Sequence, residues 1–437
     1  MKKLFSFYKK ILLIVSYLCT LISIAVAQQI ASEKKEVINN DNDRNKFIKR
    51  FVLANPKKKK VEIPFEIAHN LIIIPVIINK SDTLRFVLDT GVAYTILTSL
   101  DMDDSLSISN SRKVTIYGLG EGESLEAIHS YSNTIEIPGI IGYQQDVLIP
   151  LKDVFHLSYS LGTKVNGLIG YDIFNDFVVE INYPKKLLTF HEPTSYKYKN
   201  NKKREIIPIE IEKRKPYLIS TVENHQGEKV TVKLLMDSGA SHALSLYKNT
   251  NSAITFPPTS IYSYLGTGLS GSIYGEIGRV PSFQLGKYEL NAPVVHFPND
   301  QSVKIAMDVS NRNGSLGADI LRRFHIIIDY SRNQMQISPN EDFKEPFRFN
   351  LSGIEIGSPV PGLPIYEITQ IRENSPAQIA GLMKGDQIVS LNGVSVSQYT
   401  MNEIIALFQS KAGKTLRIGV MRNMDIVVKK VTLKEPF

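Results

Sequence analysis

The chain repeats itself, and that repeat constrains its fold more than any other feature. Residues 84–91 read LRFVLDTG and residues 232–239 read VKLLMDSG, an offset of 148, and Gly118 and Gly120 recur at the same offset as Gly266 and Gly268. A longer block, NGLIGYDIFNDFVVEINYPKKLLTF at 166–190, returns as NGSLGADILRRFHIIIDYSRNQMQI at 313–337, offset by 147. Three elements in one order at near-constant spacing imply a duplicated unit. Two lobes of roughly 130 residues each are expected, at 61–195 and 205–340, joined by a charged loop over 196–204.

Within the repeat, short β-branched runs alternate with Gly, Pro, Asn and Asp. LIIIPVIIN at 71–79, TLRFVLD at 83–89 and NTIEIPGI at 133–140 are examples, and they predict a mainly β fold. With 437 residues and 43% hydrophobic content, the chain has material for two or three packed cores.

The N-terminus has a different character. Lysines at 2, 3, 9 and 10 precede an apolar stretch from Ile11 to Ala27 that closes on Ala25-Val26-Ala27 before Gln28. Residues 1–27 therefore read as a signal peptide, which implies export to the periplasm, cell envelope or medium. An uncleaved membrane anchor is the other reading, and the sole one that brings membrane association. Cys19, the only cysteine, lies inside this segment and follows Leu18, which is not the small residue that lipoprotein processing needs. A chain starting at Gln28 would hold no thiol, which removes cysteine nucleophiles, disulfides and cysteine-ligated zinc. The eight histidines form no HxxxH pair, so neither metal nor cofactor is expected. Losing the four lysines leaves 47 basic against 43 acidic residues, a net of +4 whose one dense block is Lys57 to Lys60. That excludes a dedicated nucleic-acid surface. Residues 28–60 are polar and without apolar period, and read as a flexible leader, a removable propeptide being one version of it.

The chemistry sits in the duplicated Asp-Thr/Ser-Gly. One such tripeptide is an ordinary turn at a strand end; two in register are another matter. Each follows an apolar strand, Phe86-Val87-Leu88 and Leu234-Leu235-Met236, so Asp89 and Asp237 lie where a buried strand opens into a turn. Gly91 and Gly239 allow close approach there, and Thr90 and Ser238 offer hydroxyls to tie the turns together. Two carboxyl groups in one hydrogen-bonding shell cannot both ionise readily and share a proton. The ionised member can then take a proton from water while the protonated one polarises a peptide carbonyl.

The paired VLDTG and LMDSG, each followed by an apolar-apolar-Gly segment, resemble the pepsin and retropepsin superfamily of aspartic peptidases over about residues 61–340. Single-chain bacterial members with a C-terminal PDZ domain are the nearest likeness. The resemblance implies a bilobal pair of pepsin/retropepsin-like β-barrels, with Asp89 and Asp237 as catalytic dyad and Thr90, Gly91, Ser238 and Gly239 supporting it. It implies substrate-binding hairpin flaps at Gly118 and Gly120 and at Gly266 and Gly268. It also implies that the strand crossing behind each catalytic turn follows Gly170 and Gly317. Tyr117 is either a flap tyrosine or an ordinary sheet tyrosine, and Asp172 and Asp319 are expected to cap helix starts. Two departures matter. Ser315 stands where an aliphatic residue is expected, and Val92 and Ala240 replace the pepsin-type hydroxyl beside each glycine. Fewer hydrogen bonds to the charged form predict a mildly acidic to near-neutral pH optimum.

A third unit is expected at 345–437. FNLSGIEI at 349–356 and ENSPAQIAGLMKGDQIVSLNGVSV at 373–396 resemble a PDZ domain, a small α/β module of roughly 90 residues. Asn392-Gly393 predicts a tight hairpin, and Tyr399 to Phe408 a helix flanking the groove. The resemblance implies a ligand added as a strand, its C-terminal carboxylate received by the backbone N–H groups of Leu351, Ser352, Gly353 and Ile354. A docking scaffold that takes no free C-terminus is the other reading. The expected partners are peptide or protein substrates and a PDZ ligand, either a peptide C-terminus or an extended strand. The rival to a peptidase is an exported peptide-binding protein with an unproductive acid pair; self-maturation through the leader is a third reading.

Overall fold

The computed structural model describes residues 48–99, 106–108, 110–116, 124–198, 202–268 and 270–437. The signal-peptide expectation, Tyr117, Gly118 and Gly120 lie outside the described residues.

The first lobe runs β1 (Arg50–Leu53), β2 (Lys60–Pro64), β3 (Glu66–Ala68), β4 (Leu71–Ile78), β5 (Leu84–Leu88), β6 (Thr95–Leu97), β7 (Ser111–Ile116), β8 (Leu125–Ile137) and β9 (Ile140–Pro150). It continues through α1 (Leu157–Leu161), β10 (Gly167–Ile169), α2 (Tyr171–Asp176), β11 (Val178–Asn182) and β12 (Leu187–His191). The strands β9, β6, β10, β5, β4 and β8 pair in turn, and β8 pairs back onto β9, which closes a barrel. The leader expectation ended too late. Phe51 and Leu53 are buried in the core, and the Phe51 N–H donates to Asp176 at 2.7 Å. The apolar run Phe51 to Ala54 is four residues long, too short for a period that would betray a strand.

The second lobe repeats this order with β13 (Glu205–Pro208), β14 (Glu210–Glu212), β15 (Lys215–Glu223), β16 (Lys229–Met236), β17 (Leu244–Leu246), β18 (Ile261–Gly268), β19 (Gly271–Arg279), β20 (Ser282–Leu285), β21 (Tyr288–Asn291) and β22 (Val294–Pro298). Then come α3 (Asp300–Val309), β23 (Gly314–Leu316), α4 (Ala318–Leu321), β24 (Phe324–Asp329) and β25 (Gln334–Pro339). The long strands β8 and β9 of the first lobe have broken counterparts, β19 with β20 and β21 with β22. Pro281 and Pro293 stand at the breaks, where a ring nitrogen has no N–H for the ladder. Bonds from Val280 N to Pro293 O and from Ala292 N to Pro281 O carry the pairing across.

The lobes share a six-stranded sheet in the order β13-β25-β24-β11-β12-β2. Its central pair, β11 with β24, aligns Val179 with Ile328 and Ile181 with Ile326, so like residues of the two repeats meet about an approximate twofold. Glu180, on β11, accepts from His325 Nε2 at 2.8 Å and contacts His191 Nε2 at 3.2 Å. These two partners, His191 first, hold its carboxyl well below the usual range despite partial burial.

The third unit contains β26 (Ile354–Gly357), β27 (Tyr366–Ile371), α5 (Pro376–Ile379), β28 (Gln387–Leu391), β29 (Val394–Ser395), α6 (Met401–Phe408), β30 (Thr415–Arg422) and β31 (Asp425–Thr432). It has its own apolar core around Ile368, Ile388, Ile404, Phe408 and Ile418. Asn392 and Gly393 both adopt positive φ, 53° and 85°, as a two-residue hairpin matched to strand twist requires. Thr400 and Glu403 form a reciprocal capping box that starts α6.

This unit rests on the first lobe. The Tyr159 hydroxyl of α1 donates to Glu367 at 2.5 Å, and its carbonyl accepts from the Ser358 N–H at 2.9 Å. Gly357 makes room for the Tyr159 ring, which a Cβ there would meet at 2.3 Å. At the start of α6, Asn402 donates to Ile67 O and accepts from the His69 N–H, both at 3.3 Å.

Candidate active site

Each acid stands one residue past the end of a central strand, β5 for Asp89 and β16 for Asp237. In each lobe the strand beside it is parallel: Leu168 pairs with Val87, and Ser315 with Leu235. These strands end before Gly170 and Gly317, which corrects the expectation that they follow those glycines. The glycines mark the exit instead, because a Cβ on Gly170 would lie 1.9 Å from Asp89 O and one on Gly317 2.1 Å from His242 O. A short helix follows each glycine. Asp172 and Asp319 are not its caps; Gly170 and Gly317 hold those positions, and the acids sit in the first turn. Asp172 accepts from Arg214 at 2.5 Å, and Asp319 from Arg322 at 3.0 Å. Arg214 reaches it from the β14–β15 turn, its guanidinium 4.5 Å from the ring centres of both Tyr94 and Tyr171. Asn70, in the matching β3–β4 turn, donates to Ser241 O of the second lobe at 3.1 Å.

The two acid-bearing turns are locked face to face. The N–H of Thr90 donates to Ser238 Oγ and the N–H of Ser238 to Thr90 Oγ1, both at 3.0 Å. Each hydroxyl then donates across to the other lobe, Thr90 to Met236 O at 2.6 Å and Ser238 to Leu88 O at 2.9 Å. All four bonds are buried, which leaves few alternative arrangements for the turns.

This lock brings the carboxyl groups of Asp89 and Asp237 within hydrogen-bonding reach of each other. Asp89 accepts from the Gly91 N–H at 2.6 Å and Asp237 from the Gly239 N–H at 3.2 Å. Gly239 has no room for a side chain: a Cβ there would lie 2.2 Å from Asp89 Cγ, and one on Gly91 would lie 2.9 Å from Asp237 Oδ1. Burial, and then repulsion from Asp237, hold the Asp89 carboxyl well above the ordinary carboxylate range, against the opposing pull of the Gly91 N–H and the Lys215 ammonium. Such a pair retains one proton where isolated aspartates would both be ionised.

Above the pair lies a cleft of about 630 Å³. Gly266 and Gly268 line it from the β18–β19 hairpin, where the register shifts between Tyr264 and Gly266 and Gly266 takes a φ of 141°. Thr115 and Ile116, at the described end of β7, line it from the first lobe. Four further residues on the cleft wall escaped the sequence reading: Lys215, His242, His296 and Arg312. A signal for one of them existed, since Arg312 falls where the 147-residue offset places Val165 in the first lobe.

The loop at Leu351, Ser352, Gly353 and Ile354 departs from expectation. Its four N–H groups are already engaged: Leu351 donates to Phe408 O, Ser352 and Gly353 to Asn350 Oδ1, and Ile354 to Ser352 Oγ, at 3.0 to 3.1 Å. Asn350 thus accepts from its own backbone two and three residues on, as Asn side chains commonly do in tight turns. The edge of β26 that faces away from β27 has no strand partner among the described residues.

Comparison with known proteins agrees with this architecture. Residues 222–320 match the family model described as aspartyl protease, and residues 367–422 match that of the PDZ domain. The chain is 43% identical over 61 residues to Rho GTPase-activating protein 21-B of Xenopus laevis, a match spanning 14% of this chain and 3% of that protein. It is 35% identical over 65 residues to the carboxy-terminal processing protease CtpA of Bacillus subtilis (strain 168), 14% of each chain. Both relatives are thus similar over short segments of their length. The fold and the family matches together identify a chain with an aspartyl protease domain followed by a PDZ domain.

Proposed function

We propose that the protein is an aspartic endopeptidase in which Asp89 and Asp237 share one proton and activate water against a peptide bond. The observation that carries this reading is the reciprocal Thr90–Ser238 lock, which presents two carboxyl groups to each other at the floor of a cleft. In the reaction, the ionised carboxylate takes a proton from water as its oxygen bonds to the carbonyl carbon, while the protonated carboxyl donates to the carbonyl oxygen. Collapse of the tetrahedral species breaks the C–N bond as the dyad returns a proton to the leaving nitrogen. An extended substrate strand fits in the cleft that the glycines of the β18–β19 hairpin line together with the two acids. The PDZ unit recruits or gates peptide substrates, an extended strand pairing with β26 rather than a carboxylate entering the occupied 351–354 loop. Export follows from residues 1–27, and protein recovered from cells would begin at Gln28.

The test is incubation of the purified chain with an unfolded protein across mildly acidic to neutral pH. Fragments with new N-termini support the proposal. Saturable binding without turnover would replace it with a peptide-binding role.

A further inference from the structure

The two walls of the cleft are built from equivalent positions but opposite chemistry. In the first lobe, Ile96 of β6 pairs with Leu148 of β9 and with Leu168 of β10. At the same register positions of the second lobe, Ser245 of β17 pairs with His296 of β22 and with Ser315 of β23. All six border the cleft. Three apolar residues on one side therefore face three polar ones on the other.

Behind the polar wall are two cations. Lys215 opens β15, and continuing the register beyond the Tyr217–Leu235 pair brings it level with Asp237. Arg312 precedes β23 and lines the cleft with only 5% of its surface exposed. Its Nε and Nη1 have no hydrogen-bond partner, and its guanidinium lies 5.4 Å from the Tyr247 ring centre. Among the described residues, neither cation forms a salt bridge, whereas Arg85, Arg214, Arg322, Arg323, Arg332 and Arg422 all do. The fold does not demand positive charge here. The matching first-lobe positions are Val165, by the repeat offset, and Leu71, level with Asp89 by the β4–β5 register, and both are buried and apolar.

Charge balance gives this asymmetry its meaning. A dyad holding one proton carries one negative charge against two cations, so the lobe-two wall keeps an uncompensated positive charge. A buried arginine cannot shed its proton, and leaving it unpaired is costly. Burial lowers the proton affinity of both His242 and His296, so the positive charge of this wall rests on Lys215 and Arg312. Burial and the neighbouring Arg312 lower the Lys215 affinity for its proton, an effect that an arriving anion would offset.

We propose that Lys215 and Arg312 form a carboxylate-binding subsite, so that the preferred substrate presents an Asp or Glu side chain to the second lobe and an apolar side chain to the first, on opposite sides of the bond that is cut. This deepens the peptidase reading and rests on it for the location of the scissile bond. The fork of Arg312 supplies geometry and the ammonium of Lys215 a point charge.

The test uses matched peptides carrying Glu or Gln at each position flanking a cleaved bond, assayed with the full chain, with Lys215→Met and with Arg312→Met. A preference for Glu of about tenfold or more in kcat/KM is expected, falling towards parity in either variant. Because the Glu/Gln ratio is internal to each preparation, it is independent of the fraction correctly folded, and the partly exposed Lys215 serves if Arg312→Met does not fold. Equal rates for Glu and Gln, or a preference that survives both substitutions, would overturn the subsite while leaving the peptidase reading intact. A preference confined to peptides ending in a free carboxylate, absent from their amides, would also overturn it by assigning the cations to a chain terminus. If no peptide is cut, the peptidase reading fails, and the Glu/Gln ratio of binding affinities to the unmodified chain decides the subsite by itself.

Discussion

Thr90 and Ser238 each donate their backbone N–H to the other's hydroxyl at 3.0 Å, across the boundary between two lobes that lie 148 residues apart in the chain. The relationship is stabilising and positional at once. Replacing either hydroxyl leaves a buried N–H and a buried carbonyl without partners. Thr90→Val and Ser238→Ala should each destabilise by about 2–4 kcal/mol, read as a shift in the denaturant midpoint. A change within a few tenths of a kcal/mol would mean that the turns are held by other contacts.

Gly239→Ala separates geometry from folding. The new methyl would lie 2.2 Å from Asp89 Cγ, so the dyad must open although neither acid is altered. Proteolysis should be lost, with the circular dichroism of the folded protein retained. Gly91→Ala, with a closest approach of 2.9 Å to Asp237, should be the milder of the two. Full activity in Gly239→Ala would show that the carboxyl groups need not meet.

The raised proton affinity of Asp89 sets a direction for stability against pH. A carboxyl that holds its proton more tightly folded than unfolded adds stability at low pH, and that stability is lost as pH rises through the folded pKa. Asp89→Asn should therefore gain on the unmodified chain as pH climbs above about 4, the ordinary aspartate value. Thermal unfolding of both proteins at several pH values checks this; parallel curves would contradict it. The same shift carries the singly protonated dyad towards neutrality, so a rate optimum near pH 2 is not expected.

Glu180 runs the other way. Its carboxyl is held below the usual range by His191 and His325, so the stability it contributes is present above the ordinary glutamate pKa and lost as pH falls through the folded value. The advantage of the unmodified protein over Glu180→Gln should shrink between about pH 5 and pH 2 in urea unfolding. A gap that stays constant across that range would remove Glu180 from the interlobe account.

Much of this was legible in the sequence because it is written twice. Asp89 and Asp237, the strands before them and the hydroxyls after them follow from one alignment of the chain with itself, and Asn392-Gly393 announces its own turn. What stayed hidden depends on pairing in space. Phe51 and Leu53 belong to an apolar run too short to show a period, and gain their meaning when β9 and the core receive them. The strands at 167–169 and 314–316 are three residues long, too short for a period, and the expectation placed them on the wrong side of their glycines. Asn350 engages the loop that was expected to hold a carboxylate through the local turn contact that asparagine favours, a signal the likeness to a carboxylate-binding loop masked. Lys215 and Arg312 are nearly a hundred positions apart and become neighbours through the sheet around β16; only the break in the repeat, arginine for valine, pointed to either.

The most direct measurement is the rate of peptide hydrolysis by the unmodified chain, Asp89→Asn, Asp237→Asn and the double variant, each verified as folded. If the two carboxyl groups act as one proton-sharing unit, each single substitution lowers kcat/KM by at least about a thousandfold, and the double variant is no worse than either. Substantial activity in one single variant, or losses that multiply in the double, would contradict the shared dyad.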